Sequence, residues 1–209
     1  MADRKKIVVF ASGAGSNFIS IYNYIDEGYI NAEIVLLISN KPNCGAVNFA
    51  KKHGISTAVI DRDVMKDSVK YQEFLLSKLS FADIDLIVLA GYLKMIPEEI
   101  VCIYENKILN IHPSLLPKFG GKGYYGMKVH QAVIESKEPF TGATVHFVNT
   151  KYDEGPILLQ KKIKICNDDV ASIAEKVLKI EHEILPYTVK AFCDDKIRWI
   201  DNKPLIIGN

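Results

Sequence analysis

The side chains of Asn110 and His112 stand two residues apart at the end of an apolar segment. The pattern predicts a strand over residues 107–111, and side chains two positions apart in a strand point to the same side. A carboxamide can donate hydrogen bonds to a developing oxyanion, and an imidazole can carry a proton. The two residues are therefore a candidate catalytic pair. The alternative is a polar strand end whose groups bond to loop backbone.

A glycine-containing segment, residues 11–17, joins the first predicted strand to the first predicted helix. Glycines permit a tight turn, and the N–H groups at a helix start favour an anion. The segment lacks the Gly-Lys-Ser/Thr of a Walker A loop, and Phe18 stands where a dinucleotide fingerprint needs its third glycine. We therefore predict a site for a phosphate monoester. The alternative is a tight turn in which Ser16 or Asn17 caps the helix.

Asp153 lies with Gly155 in a predicted turn, where both residue types are common for conformational reasons alone. Its position by itself therefore assigns it no role. The other four histidines are expected to be packing or surface residues: His53, His130, His146 and His182.

The cysteines show no C-x-x-C spacing, and no close pair of cysteine and histidine ligands accompanies them. They are Cys44, Cys102, Cys166 and Cys193. We expect reduced thiols in a cytoplasmic protein and no metal ion.

Charge and hydropathy exclude several classes of protein. Lysine and arginine number 26 and aspartate and glutamate 25, so the net charge of +1 gives no excess for binding nucleic acid. No apolar run approaches the roughly 20 residues of a membrane span. The first apolar stretch, residues 7–11, is too short for the core of a signal peptide.

Apolar runs alternate with helical periodicities along the first half of the chain. Strands are predicted over residues 7–11, 33–39, 57–60 and 86–90. Helices are predicted between them, over residues 18–25, 46–53 and 63–79. This order is typical of a doubly wound parallel sheet.

In the second half of the chain, the strand and helix patterns follow one another in a different order. After the strand at 107–111 come a loop (113–125), a helix (127–135), two alternating strands (143–149 and 157–165) and a helix marked by apolar residues from 173 to 184. We therefore predict an α/β fold in one domain over residues 1–209. Its open, doubly wound, mostly parallel Rossmann-like sheet would carry antiparallel C-terminal strands.

Seven segments together resemble the glycinamide ribonucleotide formyltransferase family, the folate-dependent transformylases of purine synthesis. They cover residues 12–17, 39–41, 89–94, 109–117, 142–148, 153–160 and 181–182. Several are shared by all folate formyltransferases of the superfamily, whose fold the resemblance implies here. The first glycine loop is the segment that points to the glycinamide ribonucleotide enzymes.

The resemblance implies roles for particular residues. Catalysis would fall to Asn110, His112 and Asp153; phosphate binding to Gly15, Ser16 and Asn17; ribose binding to Glu181; and folate binding to Lys94, Met95, Ile96 and Asn110. The implied substrates are glycinamide ribonucleotide and the co-substrate 10-formyltetrahydrofolate, with no metal ion, nucleic acid or membrane involved. A monomer or a homodimer would suffice.

The chain departs from the family pattern at two places. Lys94 stands where the family often has arginine, and lysine lacks the planar fork of that side chain. The loop over residues 118–126 is longer than the short form of many members and contains no histidine before His130.

Three other functions are weighed against this one. A formyltransferase acting on methionyl-tRNA would need a further C-terminal domain and a basic surface. A formyltetrahydrofolate hydrolase would carry an N-terminal regulatory domain. A non-catalytic nucleotide-binding module would use only the glycine loop, and the joint presence of Asn110, His112 and Asp153 argues against it.

Overall fold

The computed structural model describes residues 4–80 and 83–208 of the chain. The chain forms two compact units, Met1–Leu109 and Asn110–Asn209. The single domain expected over residues 1–209 stays a prediction.

The first unit alternates strands and helices, as the sequence predicts. Its strands are β1 (Lys5–Phe10), β2 (Ala32–Ser39), β3 (Thr57–Val59) and β4 (Leu86–Leu89). Its helices are α1 (Ser16–Asp26), α2 (Gly45–Lys52), α3 (Ser68–Leu79) and α4 (Glu98–Ile103). Strand β1 pairs in parallel with β2 and β4, and β2 pairs in parallel with β3. All four residues of β4 are buried, which explains its continuous apolar sequence.

Helix α3 begins later than the sequence predicts. The predicted helix over residues 63–79 is wrong at its start, because residues 64–66 form a separate 3₁₀ turn. Asp67 then adopts an extended backbone, and its side chain accepts hydrogen bonds from the N–H groups of Val69 and Lys70. This cap stabilises a new helix start, so the two segments do not merge.

The second unit contains the antiparallel strands. Strand β5 (Ile108–His112) spans the residue at which the units divide, and α5 (Met127–Glu135), β6 (Phe140–Phe147), β7 (Ile157–Lys164) and α6 (Val170–Cys193) follow it. Strands β6 and β7 pair antiparallel, with Thr144 opposite Gln160. The strand order in the main sheet is β3-β2-β1-β4-β5-β6-β7, which confirms the predicted mostly parallel, Rossmann-like fold with antiparallel C-terminal strands.

A separate hairpin near the C terminus is absent from the sequence prediction. It consists of β8 (Ile197–Ile200) and β9 (Lys203–Ile206). Asp201 and Asn202 form its two-residue turn, and both have positive φ. This is the backbone that a tight hairpin requires, and Asp and Asn adopt it more readily than most residues.

Candidate active site

Strand β5 brings Asn110 and His112 to a common neighbour, Asp153. Asn110 Nδ2 lies 3.4 Å from Asp153 Oδ1. His112 Nδ1 lies 3.6 Å from Asp153 Oδ2, and His112 is only 5% exposed. The three residues predicted for catalysis therefore form one cluster within the second unit.

The turn that carries Asp153 has an unusual backbone. Asp153 itself has a φ of 55°, in the left-handed region. Gly155 packs so tightly that an added Cβ would lie 1.8 Å from the carbonyl oxygen of Phe147. A residue with a side chain at position 155 would therefore push the turn, and the Asp153 carboxylate, away from β6.

His146 joins the cluster, although the sequence indicated only a packing role. Its Nδ1 lies 2.9 Å from the carbonyl oxygen of Phe147, and a carbonyl can only accept, so Nδ1 carries the hydrogen. In the neutral ring Nε2 is then an acceptor, and Asn110 Nδ2 donates to it at 3.0 Å. His146 thereby fixes the orientation of the Asn110 amide.

Burial acts on both acid–base groups, but it decides the net shift of the pKa only for His112. It lowers the pKa of His112 below the ordinary 6.5, and this outweighs the Asp153 carboxylate and the Phe119 carbonyl, which raise it. Burial also raises the pKa of Asp153, but His146, His112 and the Gly121 N–H lower it more, so the net pKa lies below 3.8. At neutral pH the structure favours neutral His112 beside an Asp153 carboxylate. Asp153 therefore does not hold His112 protonated in this state.

The loop after β5 contacts both groups through its backbone. His112 Nε2 donates to the Phe119 carbonyl oxygen at 2.8 Å, and the Gly121 N–H donates to Asp153 Oδ2 at 2.9 Å. A Cβ at Gly120 would lie 3.2 Å from the Cβ of Asp153, so a glycine allows this close approach. The sequence gives no sign of these contacts, because they join residues 7 and 32 positions apart through the main chain.

One buried hydroxyl holds the start of that loop. Thr144 Oγ1 donates to the Ser114 carbonyl oxygen at 2.6 Å and accepts from the N–H of Leu116 at 3.1 Å. Gln160 Nε2 donates to the same hydroxyl at 2.9 Å and to the Leu116 carbonyl oxygen at 2.8 Å. The hydroxyl thus uses its one donor and both acceptor positions.

The glycine loop of the first unit enters α1 with a left-handed backbone at Gly15. Gly15 has a φ of 80° at the N terminus of α1, and no side chain caps that terminus within residues 4–80 and 83–208. A Cβ at Gly15 would lie 2.7 Å from the Cβ of Ala46, so the loop packs directly on α2. Ser12 Oγ and Asn40 Oδ1 are buried there without a hydrogen-bond partner among the residues described. Polar groups left in this way are available to a polar ligand.

The remaining predicted residues differ in exposure. Lys94 and Met95 are exposed in the segment before α4, whereas Ile96 is buried. Glu181 is buried within α6. In the described parts of the chain, no group of three or more histidine, cysteine, aspartate or glutamate side chains could hold a metal ion. None of the described helices is long and apolar enough to cross a membrane.

Comparison with known proteins assigns the family. The formyl transferase family model matches residues 5–189. The chloroplastic phosphoribosylglycinamide formyltransferase of Arabidopsis thaliana is 44% identical over 97% of this chain and 70% of its own length. The phosphoribosylglycinamide formyltransferase of Haemophilus influenzae is 36% identical over 98% of this chain and 94% of its own.

A solved structure agrees with these relatives. Glycinamide ribonucleotide transformylase 1 from Symbiobacterium toebii superposes with a TM-score of 0.91 at 28% identity, over 100% of this chain and 96% of that one. The resemblance predicted from the seven segments is thereby confirmed, and the chain belongs to the formyl transferase family.

Proposed function

We propose that this protein transfers the formyl group of 10-formyltetrahydrofolate to the glycyl amine of glycinamide ribonucleotide, a step of purine biosynthesis. The observation that carries the proposal is the cluster of Asn110, His112 and Asp153 in a chain whose relatives bear the name of that enzyme. The formyl transferase family supports a folate-derived formyl donor.

The reaction adds the amine nitrogen to the formyl carbon and then breaks the bond from that carbon to N10 of the folate. Negative charge develops on the formyl oxygen in between. Asn110 Nδ2 has two hydrogens, one of which His146 accepts at 3.0 Å. The other makes only a long, 3.4 Å contact to Asp153, so it is the one available to the oxyanion.

His112 supplies the second hydrogen bond. Its Nε2–H donates to the Phe119 carbonyl oxygen here, so a neutral ring is already a donor on that side. If the formyl oxygen replaced the Phe119 carbonyl oxygen as the acceptor, His112 would donate its hydrogen bond to the reacting group. The loop around Phe119 must move for this to happen. A hydrogen bond in a buried site stabilises a developing negative charge more than the same bond would in water.

Asp153 completes the proton balance. The attacking amine loses one proton and N10 of the leaving folate gains one. The pKa of Asp153 lies below 3.8, so it is an anion at neutral pH. It can accept the proton of the amine, directly or through a water molecule, and pass it on to N10. No covalent enzyme intermediate and no metal ion takes part in this scheme.

Binding of the substrates is assigned to the other predicted residues. We propose that the backbone of Gly15, Ser16 and Asn17 binds the phosphate, and that Glu181 accepts hydrogen bonds from the ribose hydroxyls. Exposed Lys94 and Met95, with Ile96 and Asn110, would contact the folate. Two observations on the described part of the chain support the phosphate assignment: no side chain there caps the N terminus of α1, and none there bonds to the Ser12 hydroxyl.

Two further parts of the proposal concern assembly and location. A monomer or a homodimer suffices, because the catalytic cluster lies within one chain. We propose a cytoplasmic location, although some plant relatives are named chloroplastic.

The test is a formyl-transfer assay on the full chain. With 10-formyltetrahydrofolate, absorbance of the deformylated folate should appear only when glycinamide ribonucleotide is added. Folate release without the ribonucleotide at the same rate would indicate a hydrolase instead. Formylation of methionyl-tRNA in preference to the ribonucleotide would also refute the proposal.

A further inference from the structure

The segment that follows β4 covers residues 91–96 and leads towards α4. It carries Lys94, Met95 and Ile96, the residues assigned above to folate. The segment is neither helix nor strand, and none of its main-chain groups bonds to the main chain of residues 4–80 or 83–208. Its position therefore depends on the contacts of its side chains.

Buried residues hold both ends of this segment. Tyr92 is 7% exposed and Ile96 is 4% exposed. Between them, Lys94 is exposed, and the apolar residues Leu93 and Met95 are 48% and 42% exposed. We call residues 92–96 the arch. Its exposed middle can contact a ligand only in the place that its buried ends allow.

Tyr92 contacts three other parts of the first unit. Its ring packs edge-on against Phe10 at the end of β1, with the ring centres 5.1 Å apart. Its hydroxyl oxygen lies 3.0 Å from that of Tyr71 in α3, and both residues are 7% exposed. Met65 Sδ, a weak acceptor, lies 4.0 Å from the same oxygen. Because the bond between the two hydroxyls is buried, water competes little for it.

Helix α3 gives this bond a firm support. Tyr71 lies on the buried face of α3 with Leu75 and Leu79. The side chain of Asp67 caps the start of the helix, about one turn before Tyr71. The hydroxyl bond therefore ties the arch to a packed and capped helix, through a residue 21 positions earlier in the chain.

We propose that Tyr71 and Tyr92 are positioning residues for the folate co-substrate, and that their hydroxyl bond sets the place of the arch. This inference rests on the proposed function. Without the bond, the arch moves among several positions, and folate binding has to order it at a cost in entropy. Folate affinity then falls. The catalytic cluster contains neither tyrosine, so turnover at saturating folate is kept.

Two substitutions remove one hydroxyl each and keep the rings: Tyr71→Phe and Tyr92→Phe. Steady-state kinetics of formyl transfer should show KM for 10-formyltetrahydrofolate raised by about fivefold or more, the scale of one lost buried hydrogen bond. KM for glycinamide ribonucleotide and kcat should stay within about twofold of wild type. An unchanged KM for the folate in Tyr71→Phe, or an equal rise in KM for both substrates, would overturn the proposal.

Tyr104→Phe is the matched control. The Tyr104 hydroxyl donates to the Leu79 carbonyl oxygen at 3.0 Å, so this change also removes one bond to α3, but at the other end of the helix. It should lower the melting temperature as Tyr71→Phe does and leave KM for the folate within about twofold of wild type. A rise in that KM equal to the rise in Tyr71→Phe would assign the effect to lost stability, and the proposal would be wrong.

The double variant Tyr71→Phe/Tyr92→Phe tests whether the two hydroxyls act as one unit. Once the first hydroxyl is gone, the bond no longer exists, so the second substitution should add little. KM for the folate in the double variant should therefore stay within about twofold of the larger single-variant value. If the two increases multiply instead, the hydroxyls act independently and the proposal fails.

Isothermal titration calorimetry with tetrahydrofolate, the deformylated product, measures the effect without the reaction. The affinity of Tyr71→Phe should be about fivefold or more below that of the wild-type chain. A wild-type chain that transfers no formyl group would refute the proposed function, whereas a fivefold difference in tetrahydrofolate affinity would still support the positioning role. Equal affinity in the two chains, or no binding to either, would overturn the inference whatever the transfer assay shows.

Discussion

Asn110 Nδ2 and His146 Nε2 lie 3.0 Å apart, so the candidate oxyanion donor is itself held by a second side chain. The Phe147 carbonyl oxygen accepts a hydrogen bond from His146 Nδ1, so Nδ1 carries the hydrogen. His146 Nε2 can therefore accept a hydrogen bond from the Asn110 amide in the neutral ring, but not in a protonated one. The amide orientation thus depends on a residue 36 positions away in the chain.

Replacement of His146 by phenylalanine should lower kcat while leaving KM for the ribonucleotide nearly unchanged. The ring is kept, but the acceptor that orients Asn110 is lost, so we expect a decrease of about tenfold or more. Steady-state kinetics of formyl transfer measure it. His53→Phe, a change at an exposed ring stacked on Phe49, is the control and should retain kcat. A kcat within twofold of wild type would show that Asn110 needs no such partner.

Asp153→Asn should lower kcat by about 10²-fold or more, because it removes the proton acceptor at nearly constant shape. The loss should be less than additive with that of His112→Ala, since both residues contact each other and serve one step. Ribonucleotide affinity should be nearly unchanged. Near-normal turnover in a variant with an unchanged melting temperature would assign Asp153 to shaping its turn only.

The phosphate assignment is best tested at Gly13. An added Cβ at Gly13 meets no atom within 4 Å, whereas one at Gly15 meets Ala46, so substitution at Gly15 would disturb the fold. We therefore expect Gly13→Ala to be nearly neutral. Gly13→Asp places a negative charge beside the loop and should raise KM for the ribonucleotide by about tenfold, with KM for the folate little changed. Equal increases in both KM values would contradict the assignment.

Thr144→Val should destabilise the protein by about 2–3 kcal/mol, because it leaves buried loop groups without partners. Thr144→Ser keeps the hydroxyl and removes one methyl group, so it should cost only about 1 kcal/mol. Urea denaturation measures both. Similar losses in the two variants would show that the methyl group matters as much as the hydrogen bonds.

Stability should fall as the pH is lowered from about 7.5 to about 5.5. Burial lowers the pKa values of His112, His130 and His182 below 6.5, so in this window the unfolded chain binds more protons than the folded one. Stability therefore rises with pH, and carboxylates whose pKa values lie below 3.8 contribute little to the change.

A single substitution measures how much His130 contributes to the dependence of stability on pH. His130→Gln should reduce the slope of melting temperature against pH, because burial lowers the pKa of His130 below 6.5. Thermal melts at several pH values measure the slope. An unchanged slope in His130→Gln would mean that its protonation does not differ between the folded and unfolded states.

Much of the fold is predictable because its signals are local. Strand β4 is apolar at every position, and α1 repeats its buried residues Phe18 and Ile21 on one face, so period and burial agree. The start of α3 is not predictable from periodicity, because the cap depends on the backbone of Asp67. The hairpin of β8 and β9 is only four residues per strand, too short for a clear alternation.

The candidate site also contains residues that the sequence predicts and residues that it does not. Asn110 and His112 are predictable because they share one strand face, whereas Asp153 enters the site only through the resemblance. His146 has two nitrogens whose partners lie on different segments, and the sequence does not show which segments meet. The contacts of Phe119 and Gly121 are made by main-chain atoms, so the residue types at these positions do not predict them.

The Thr144 hydroxyl anchors the first part of the loop after β5, so this part is held differently from the part that follows it. Residues 114–116 are held to β6 and β7 by the side chains of Thr144 and Gln160. The stretch from Phe119 onward contacts the cluster through the Phe119 carbonyl oxygen and the Gly121 N–H. Insertions or deletions in that stretch would therefore leave the anchors of residues 114–116 in place, but they would disturb the contacts with His112 and Asp153. A loop graft that begins after residue 116 and restores these two main-chain contacts would therefore keep both the catalytic strand and its neighbours in place.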